Sequence, residues 1–185
     1  MASWSRVARR IRVPLGFVFA ALYIGLAHPR WWSIAAGAAV AALGVGLRAS
    51  ASGHVKKNEE LTMSGPYAHT RNPLYVGSIL IGIGFGIASR NAWVAVALMV
   101  MFLAIYVPVV RSEEAFLRSK FPQFDDYARR VPRFGYKLSA AAVAPASGTG
   151  AFSRELYLKH REYNALVGAL LMIAALVAKL IWWPS

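Results

Sequence analysis

Residues 65–88 read GPYAHTRNPLYVGSILIGIGFGIA, and the character of the chain changes at Ser78. The fourteen residues from Gly65 to Ser78 hold two tyrosines, a histidine, an arginine and two prolines. The stretch that follows, Ile79 to Ala88, is apolar enough to sit in lipid. Polar chemistry at the mouth of an apolar helix points to a membrane protein with a site at one face of the bilayer.

The whole chain fits that reading. Of its 185 residues 57% are hydrophobic and 16% charged, with a mean hydropathy of +0.44, more apolar and less charged than a soluble domain. The apolar residues fall in five runs, 11–27, 31–47, 74–88, 92–110 and 165–183, separated by basic segments. The expectation is a single all-α, polytopic domain over 1–185 with about five spanning helices, because lipid offers the backbone no hydrogen-bond partners. The runs are short for a hydrocarbon core of about 30 Å, so flanking turns or local thinning complete the crossing. Arg6, Arg9, Arg10 and Arg12 precede the first run. No polar cleavage region follows it, and His28-Pro29-Arg30 turns straight into the next run, so a retained helix is expected.

Charge sets the orientation. Segments 1–12, 48–73 and 111–163 carry four, four and ten Lys/Arg, eighteen of the twenty-one. Arg30, Arg90 and Lys179 fall on the other side, and Lys179 can snorkel to the surface. The positive-inside rule then places the N-terminus and the polar site in the cytoplasm. The same split accounts for the net charge of +13 without nucleic acid, with attraction to anionic lipid as a second effect. Trp31, Trp32, Trp182 and Trp183 mark the opposite interface. The absence of cysteine excludes disulfides, thiolate nucleophiles and Cys-based metal sites. His28, His54, His69 and His160 have no metal-ligand spacing, so no metal is expected.

The turn Ser89-Arg90-Asn91 is so short that the third and fourth helices must be antiparallel neighbours. Their basic ends, TRNPLYVGS and VVRSEEAFLRSKF, then lie side by side. This brings Arg71, Asn72, Tyr75 and Ser78 toward Arg111, Glu113 and Glu114. Asn72 is a favoured N-cap and Pro73 a favoured first helical residue. The free N–H groups above them welcome a carboxylate or phosphate, and Arg71 adds fixed positive charge. Glu113 and Glu114 supply the opposite sign; Arg111 or Arg118 can balance one of them. Roofed by Tyr67, Tyr75 and Tyr127, such a site suits a zwitterionic cofactor. Taken singly, Arg71 reads as a topology charge, the glutamates as a solvated helix segment and the tyrosines as an interfacial belt. Their shared depth on two adjacent helices favours the functional reading. GIGFG, Gly82 to Gly86, has no strand before it and reads as close helix packing. A small-residue linker follows over 138–152, and Ser153 can cap a helix through RELYLKHREYN that runs on into the last span.

These residues together resemble the integral-membrane methyltransferases of the isoprenylcysteine carboxyl methyltransferase and phospholipid methyltransferase superfamily. The matching features are Gly65-Pro66-Tyr67, Arg71-x-Pro73-x-Tyr75-x-Gly77, Glu113-Glu114-x-x-Leu117, Tyr127 and Val131-Pro132-Arg133-Phe134. They cover roughly Arg48 to Phe134. Asn72 stands where the family commonly has His, so it keeps the cap and a donor but cannot carry charge. The resemblance implies S-adenosylmethionine as cofactor, bound over 65–78 and 111–134, and a lipophilic acceptor entering from the bilayer. It assigns the head of the third helix, Asn72 and Pro73 with Tyr75 and Gly77, to the cofactor's amino-acid portion. Glu113 and Glu114 would take its ribose or ammonium, and Tyr67 and His69 its adenine side. Arg71 and Arg133 would anchor a carboxylate acceptor, as in isoprenylcysteine carboxyl methylation. Phospholipid N-methylation shares the same groove. An NADPH-dependent sterol-type reductase calls for more basic residues and more helices, and a non-catalytic scaffold leaves the convergence of Arg71, Tyr75 and the glutamates without a cause.

Overall fold

The computed structural model of the chain describes residues 18–56, 59–137 and 151–183. The first part of the 11–27 run, the four N-terminal arginines and most of the 138–152 linker lie outside the described residues. The elements are α1 (18–26), α2 (Trp31–His54), a 3₁₀ turn (Gly65–Ala68), α3 (Pro73–Ser89), α4 (Ala92–Lys120), α5 (Phe124–Arg130), α6 (Arg154–Lys159) and α7 (Tyr163–Trp182). Among the described residues there is no strand, and the all-α class is as expected.

Among the described residues three helices, α2, α4 and α7, are long and apolar enough to cross a membrane; the first of the five expected spans begins outside those residues. The 17-residue α3 is shorter. It is held by α2 instead of by length. Gly37 and Gly44 on α2 face Gly84 and Gly77 on α3 so closely that a Cβ on Gly44 would lie 2.5 Å from the Gly77 carbonyl. Small residues at such a contact let two backbones approach where lipid supplies no hydrophobic drive between helices. The GIGFG stretch therefore packs as expected, through Gly84.

Helix α3 ends at Arg90, in the left-handed region at φ 49°. The Asn91 side chain then starts α4, accepting from the Trp93 and Val94 N–H groups at 2.9 and 3.4 Å. With 29 residues α4 is about 44 Å long, more than the hydrocarbon core of about 30 Å. Its last turns must therefore project beyond the lipid, and Glu113 and Glu114 ride on them. Val96, Met99, Val100, Leu103 and Ile105 are exposed along its apolar length, as a lipid-facing side requires.

Two cores mark the two ends of the molecule. At the tryptophan end Tyr23, Ala27, Ile34, Ala88, Val94 and Leu176 pack together. Lys179 does not simply reach for the surface there: its ammonium donates to the Ile24 and Gly25 carbonyls at 2.7 and 2.9 Å, satisfying the open end of α1. At the basic end Leu61, Phe124, Tyr127 and Val131 form a small core against Leu117 and Phe121. The expected continuous helix into the last span is broken. Ser153 caps α6, accepting from the Leu156 N–H at 3.3 Å, but Arg161 takes φ 54° and α7 starts anew at Tyr163.

Candidate functional site

The site is built on Glu114, the second acid of the pair on α4. Only 4% of it is exposed, and a carboxylate so far from water needs compensation at both oxygens. Oε2 accepts from Arg133 Nε at 2.9 Å and lies 2.6 Å from Arg133 Nη2. Oε1 accepts from Asn72 Nδ2 at 3.3 Å and faces Arg71 Nε at 3.5 Å. Two cations and one anion leave this group with one net positive charge. Arg71 Nε is buried and, among the described residues, is the one such side-chain atom without a hydrogen-bond partner.

Asn72 occupies the N-cap position of α3 as expected, but its side chain does not cap. It is turned away to Glu114 and to the Arg133 carbonyl, to which Nδ2 donates at 3.1 Å. Pro73 sits at the first helical position and is fully buried. The segment before it lies along the loop after α5. The Arg71 N–H donates to the Pro132 carbonyl at 2.9 Å and the Lys137 N–H to the His69 carbonyl at 3.0 Å. The Thr70 hydroxyl donates to the Arg133 carbonyl at 3.3 Å. His69 donates from Nδ1 to the Lys137 carbonyl at 2.6 Å and stacks on Tyr136 with ring centres 4.8 Å apart. This backbone pairing is what carries Arg133 back to Glu114.

Glu113 faces a different environment. Its charge acts on the Tyr75 phenol. The Tyr67 phenol lies within the field of Glu113, Glu162, Tyr75 and Arg48, and burial pushes its pKa up, with Glu113 adding to the rise. Tyr127 donates to the Tyr67 carbonyl at 2.7 Å, and burial raises its phenol too. The hydrogen bond to Glu114 holds the Arg133 guanidinium more firmly charged. From Tyr75 an aromatic wall runs along α4: Tyr106 at 5.3 Å, Phe102 stacked on Tyr106 at 4.9 Å, then Phe134 at 6.3 Å from Phe102. A positive group and a negative group thus stand side by side where the apolar length of α4 ends.

The structure brings Arg71, Asn72, Pro73, Glu114 and Arg133 together, with Tyr67, Tyr75 and Glu113 beside them and His69 at the edge. Other placements differ from expectation. At Gly77, which the resemblance assigns to the cofactor, a neighbouring helix approaches: a Cβ there would meet the Gly44 carbonyl at 2.7 Å and Arg48 Cγ at 2.6 Å. Ser78 turns to Arg48 of α2. Arg118 pairs with Asp125 rather than with a glutamate of the pair, and Arg111 is exposed. Sequence reading missed Arg48 and Glu162 altogether. The available signal was a single arginine near the end of an otherwise apolar α2.

An all-helical membrane protein with opposed charges and tyrosines gathered at the head of one helix defines the class. Residues 32–123 match the phospholipid methyltransferase family, and the chain belongs to it, within the group of membrane methyltransferases that includes the isoprenylcysteine carboxyl methyltransferases. It is similar to the cobalt-zinc-cadmium resistance protein CzcN of Cupriavidus metallidurans, with 36% identity over 137 residues, 69% of this chain and 62% of that protein. It is also similar to the nickel-cobalt-cadmium resistance protein NccN of Alcaligenes xylosoxydans xylosoxydans, with 37% identity over 139 residues, 69% of this chain and 63% of that protein. The chain spans less than two thirds of the length of either relative. No solved structure matches it.

Proposed function

We propose that the chain transfers a methyl group from S-adenosylmethionine to a lipophilic acceptor at the basic end of the bundle, on the cytoplasmic side. The observation that carries this reading is the Glu114 cluster, which holds two arginines and the head of α3 beside a separate carboxylate, Glu113. The donor's amino-acid portion bears an ammonium and a carboxylate, and the residues present fit both. Arg71 Nε is a buried donor that makes no hydrogen bond, 3.5 Å from Glu114 Oε1, and Glu113 offers a carboxylate of the right sign beside Tyr75. Tyr67 and His69 supply flat surfaces for the adenine side.

Bound there, the cofactor supplies an already activated methyl group as a sulfonium. The chain's own task is therefore alignment and exclusion of water. Glu114 fixes Arg71 and Arg133 relative to α3. Arg133, 42% exposed along its side chain, can exchange Glu114 for an incoming carboxylate without first leaving a buried position. A carboxylate acceptor needs only this anchoring, so carboxyl methylation as in isoprenylcysteine is the reading that the arginines favour. Phospholipid N-methylation is favoured by a different observation, the Glu113 carboxylate near the Tyr75–Tyr106–Phe102 wall, which suits an ammonium headgroup whose nitrogen gives up a proton to Glu113 or to solvent before it attacks the methyl group. The relatives are named for resistance to cobalt, zinc, cadmium and nickel. Among the described residues no three His, Asp or Glu side chains cluster to hold a metal.

The test is calorimetric titration of the purified protein in detergent with S-adenosylmethionine, S-adenosylhomocysteine and NADPH, with Glu113→Gln alongside. Labelled methyl transfer to prenyl-cysteine, phosphatidylethanolamine and thiol acceptors follows. Saturable binding of the first two, weakened in the variant, is expected. Binding of NADPH alone by the folded protein would move it to the reductases, and binding of none would leave a scaffold.

A further inference from the structure

Arg48, near the end of α2, makes four side-chain hydrogen bonds, and nothing in the proposed chemistry uses it. Its Nε and Nη2 donate to Oε2 and Oε1 of Glu162 at 3.0 and 2.9 Å, a bidentate pair. Its Nη1 donates to the Leu74 carbonyl at 3.1 Å and to Ser78 Oγ at 2.6 Å. Three elements meet at this one side chain: α2 carries it, α3 receives it at its first two turns, and Glu162 stands at the entry to α7. The arginine stem passes α3 at Gly77, where any larger residue would collide with Arg48 Cγ.

The other end of the grip is equally fixed. The Ser153 N–H donates to the Gly53 carbonyl at 2.8 Å, and His160 Nδ1 donates to the Ser52 carbonyl at 3.1 Å. The ring of Phe152 covers Gly53 and meets His54 edge-on. These contacts strap α6 to the end of α2 and leave Arg161, at positive φ, to present Glu162 to Arg48. The pair is 22% and 14% exposed. Ions drawn that far from water at a membrane boundary are costly unless every oxygen is paired. Helix association does not require them, because α2 and α3 already meet through their glycines. The pair does set where the head of α3 stands relative to α7. Its charges also act on the Tyr67 phenol, as does that of Glu113.

We propose that Arg48 and Glu162 form a positioning latch, through which the α6–α7 segment holds the first turns of α3, and with them Asn72 and Tyr75, in the geometry of the site. Glu162 lies outside residues 32–123, so this half of the latch is not part of the matched family segment. The functional consequence rests on the methyltransferase reading; the mechanical one does not.

The experiment compares the full chain with Glu162→Gln, with the milder Ser78→Ala, and with the reversed pair Arg48→Glu/Glu162→Arg, all in detergent. Amide hydrogen exchange is read without cofactor, and S-adenosylhomocysteine affinity and the KM and kcat for methyl transfer are read separately. In Glu162→Gln, exchange over residues 75–78 is expected to quicken about tenfold, while residues 37–44 and 84–88 keep their protection. S-adenosylhomocysteine binding weakens by a similar factor, Ser78→Ala moves both in the same direction by less, and the reversed pair recovers part of the loss. Unchanged exchange at the head of α3 in both single variants would overturn the latch. So would faster exchange spread evenly over all helices, which marks a merely structural pair. If the unmodified chain binds no S-adenosylhomocysteine, the methyltransferase reading fails while the exchange pattern still decides the latch.

Discussion

Replacing Glu114 should expose how unequally its two arginines depend on it. Alanine at this position removes the carboxylate that Arg71 faces; the Arg71 side chain is 12% exposed. Breaking a buried pair by deleting one partner costs about 3–5 kcal/mol, because the surviving charge is left without compensation. Arg133 adds little to that sum. At 42% exposure it turns to water once released, and ion pairs so placed contribute roughly 0–1 kcal/mol. Glutamine keeps one carbonyl oxygen, which can still accept from Asn72 and face Arg71, while its amide now opposes the Arg133 fork. The cost of Glu114→Gln should therefore be about 1–3 kcal/mol, the loss of a charge-assisted hydrogen bond. The expected order is Glu114→Ala well below Glu114→Gln, with Arg133→Gln, which leaves Glu114 paired to Asn72 and Arg71 through Oε1, between Glu114→Gln and the unmodified chain. The assay is unfolding in mixed lipid–detergent micelles, followed by helical signal and by accessibility of residues 69–72 to protease. Should Glu114→Ala and Arg133→Gln lose the same stability, or Glu114→Ala lose none, the carboxylate is not what holds Arg71 and the site is organised some other way.

Two further outcomes follow from the geometry. Gly37→Ala places a methyl against the Gly84 carbonyl and 2.9 Å from the Ala88 nitrogen, and should cost about 1–3 kcal/mol by forcing α2 and α3 apart. Gly82→Ala, with nothing within 4 Å of the new methyl, should be neutral or stabilising by up to about 1 kcal/mol; thermal unfolding of the two variants side by side decides it, and equal effects would mean that the glycines do not set the helix spacing. Burial raises the Tyr67 and Tyr127 phenols, so the native chain keeps protons that the unfolded chain releases near the ordinary value of about 10. The contribution of these groups is fully present below that value and is lost as pH rises above it, since the unfolded state then binds fewer protons. Tyr127→Phe should flatten the fall in stability measured above about pH 10; an unaltered slope would show that its phenol is not held protonated.

Much of the site was legible because its residues lie at the ends of two helices joined by a three-residue turn. A turn that short leaves antiparallel packing as the one arrangement, and equal depth follows. Arg71, Asn72, Tyr75, Glu113 and Glu114 could therefore be placed together from spacing alone. Which carboxylate faces which partner was not legible. Glu113 and Glu114 are adjacent, and a helix turns about 100° per residue, so they point apart: one into the arginines, the other toward the tyrosines. Nothing in the pair EE says which is which. The side-chain role of Asn72 was hidden for a similar reason, since an N-cap residue can bond its own helix or a neighbouring chain, and the nearness of Glu114 decided.

The sequence by itself determined the class of fold, the basic bias of one end and the meeting of α3 with α4, because hydropathy, charge and loop length act locally along the chain. The tertiary structure decided everything that depends on distant segments meeting. Arg133 reaches Glu114 only because residues 69–72 pair with the loop after α5. Glu162 reaches Arg48 only because α6 is strapped to the end of α2 and the chain breaks at Arg161. Gly77 serves the contact with α2 because the stem of Arg48 passes there. Each of these is a choice of partner between groups that could be satisfied in more than one way, and local pattern carries no information on that choice.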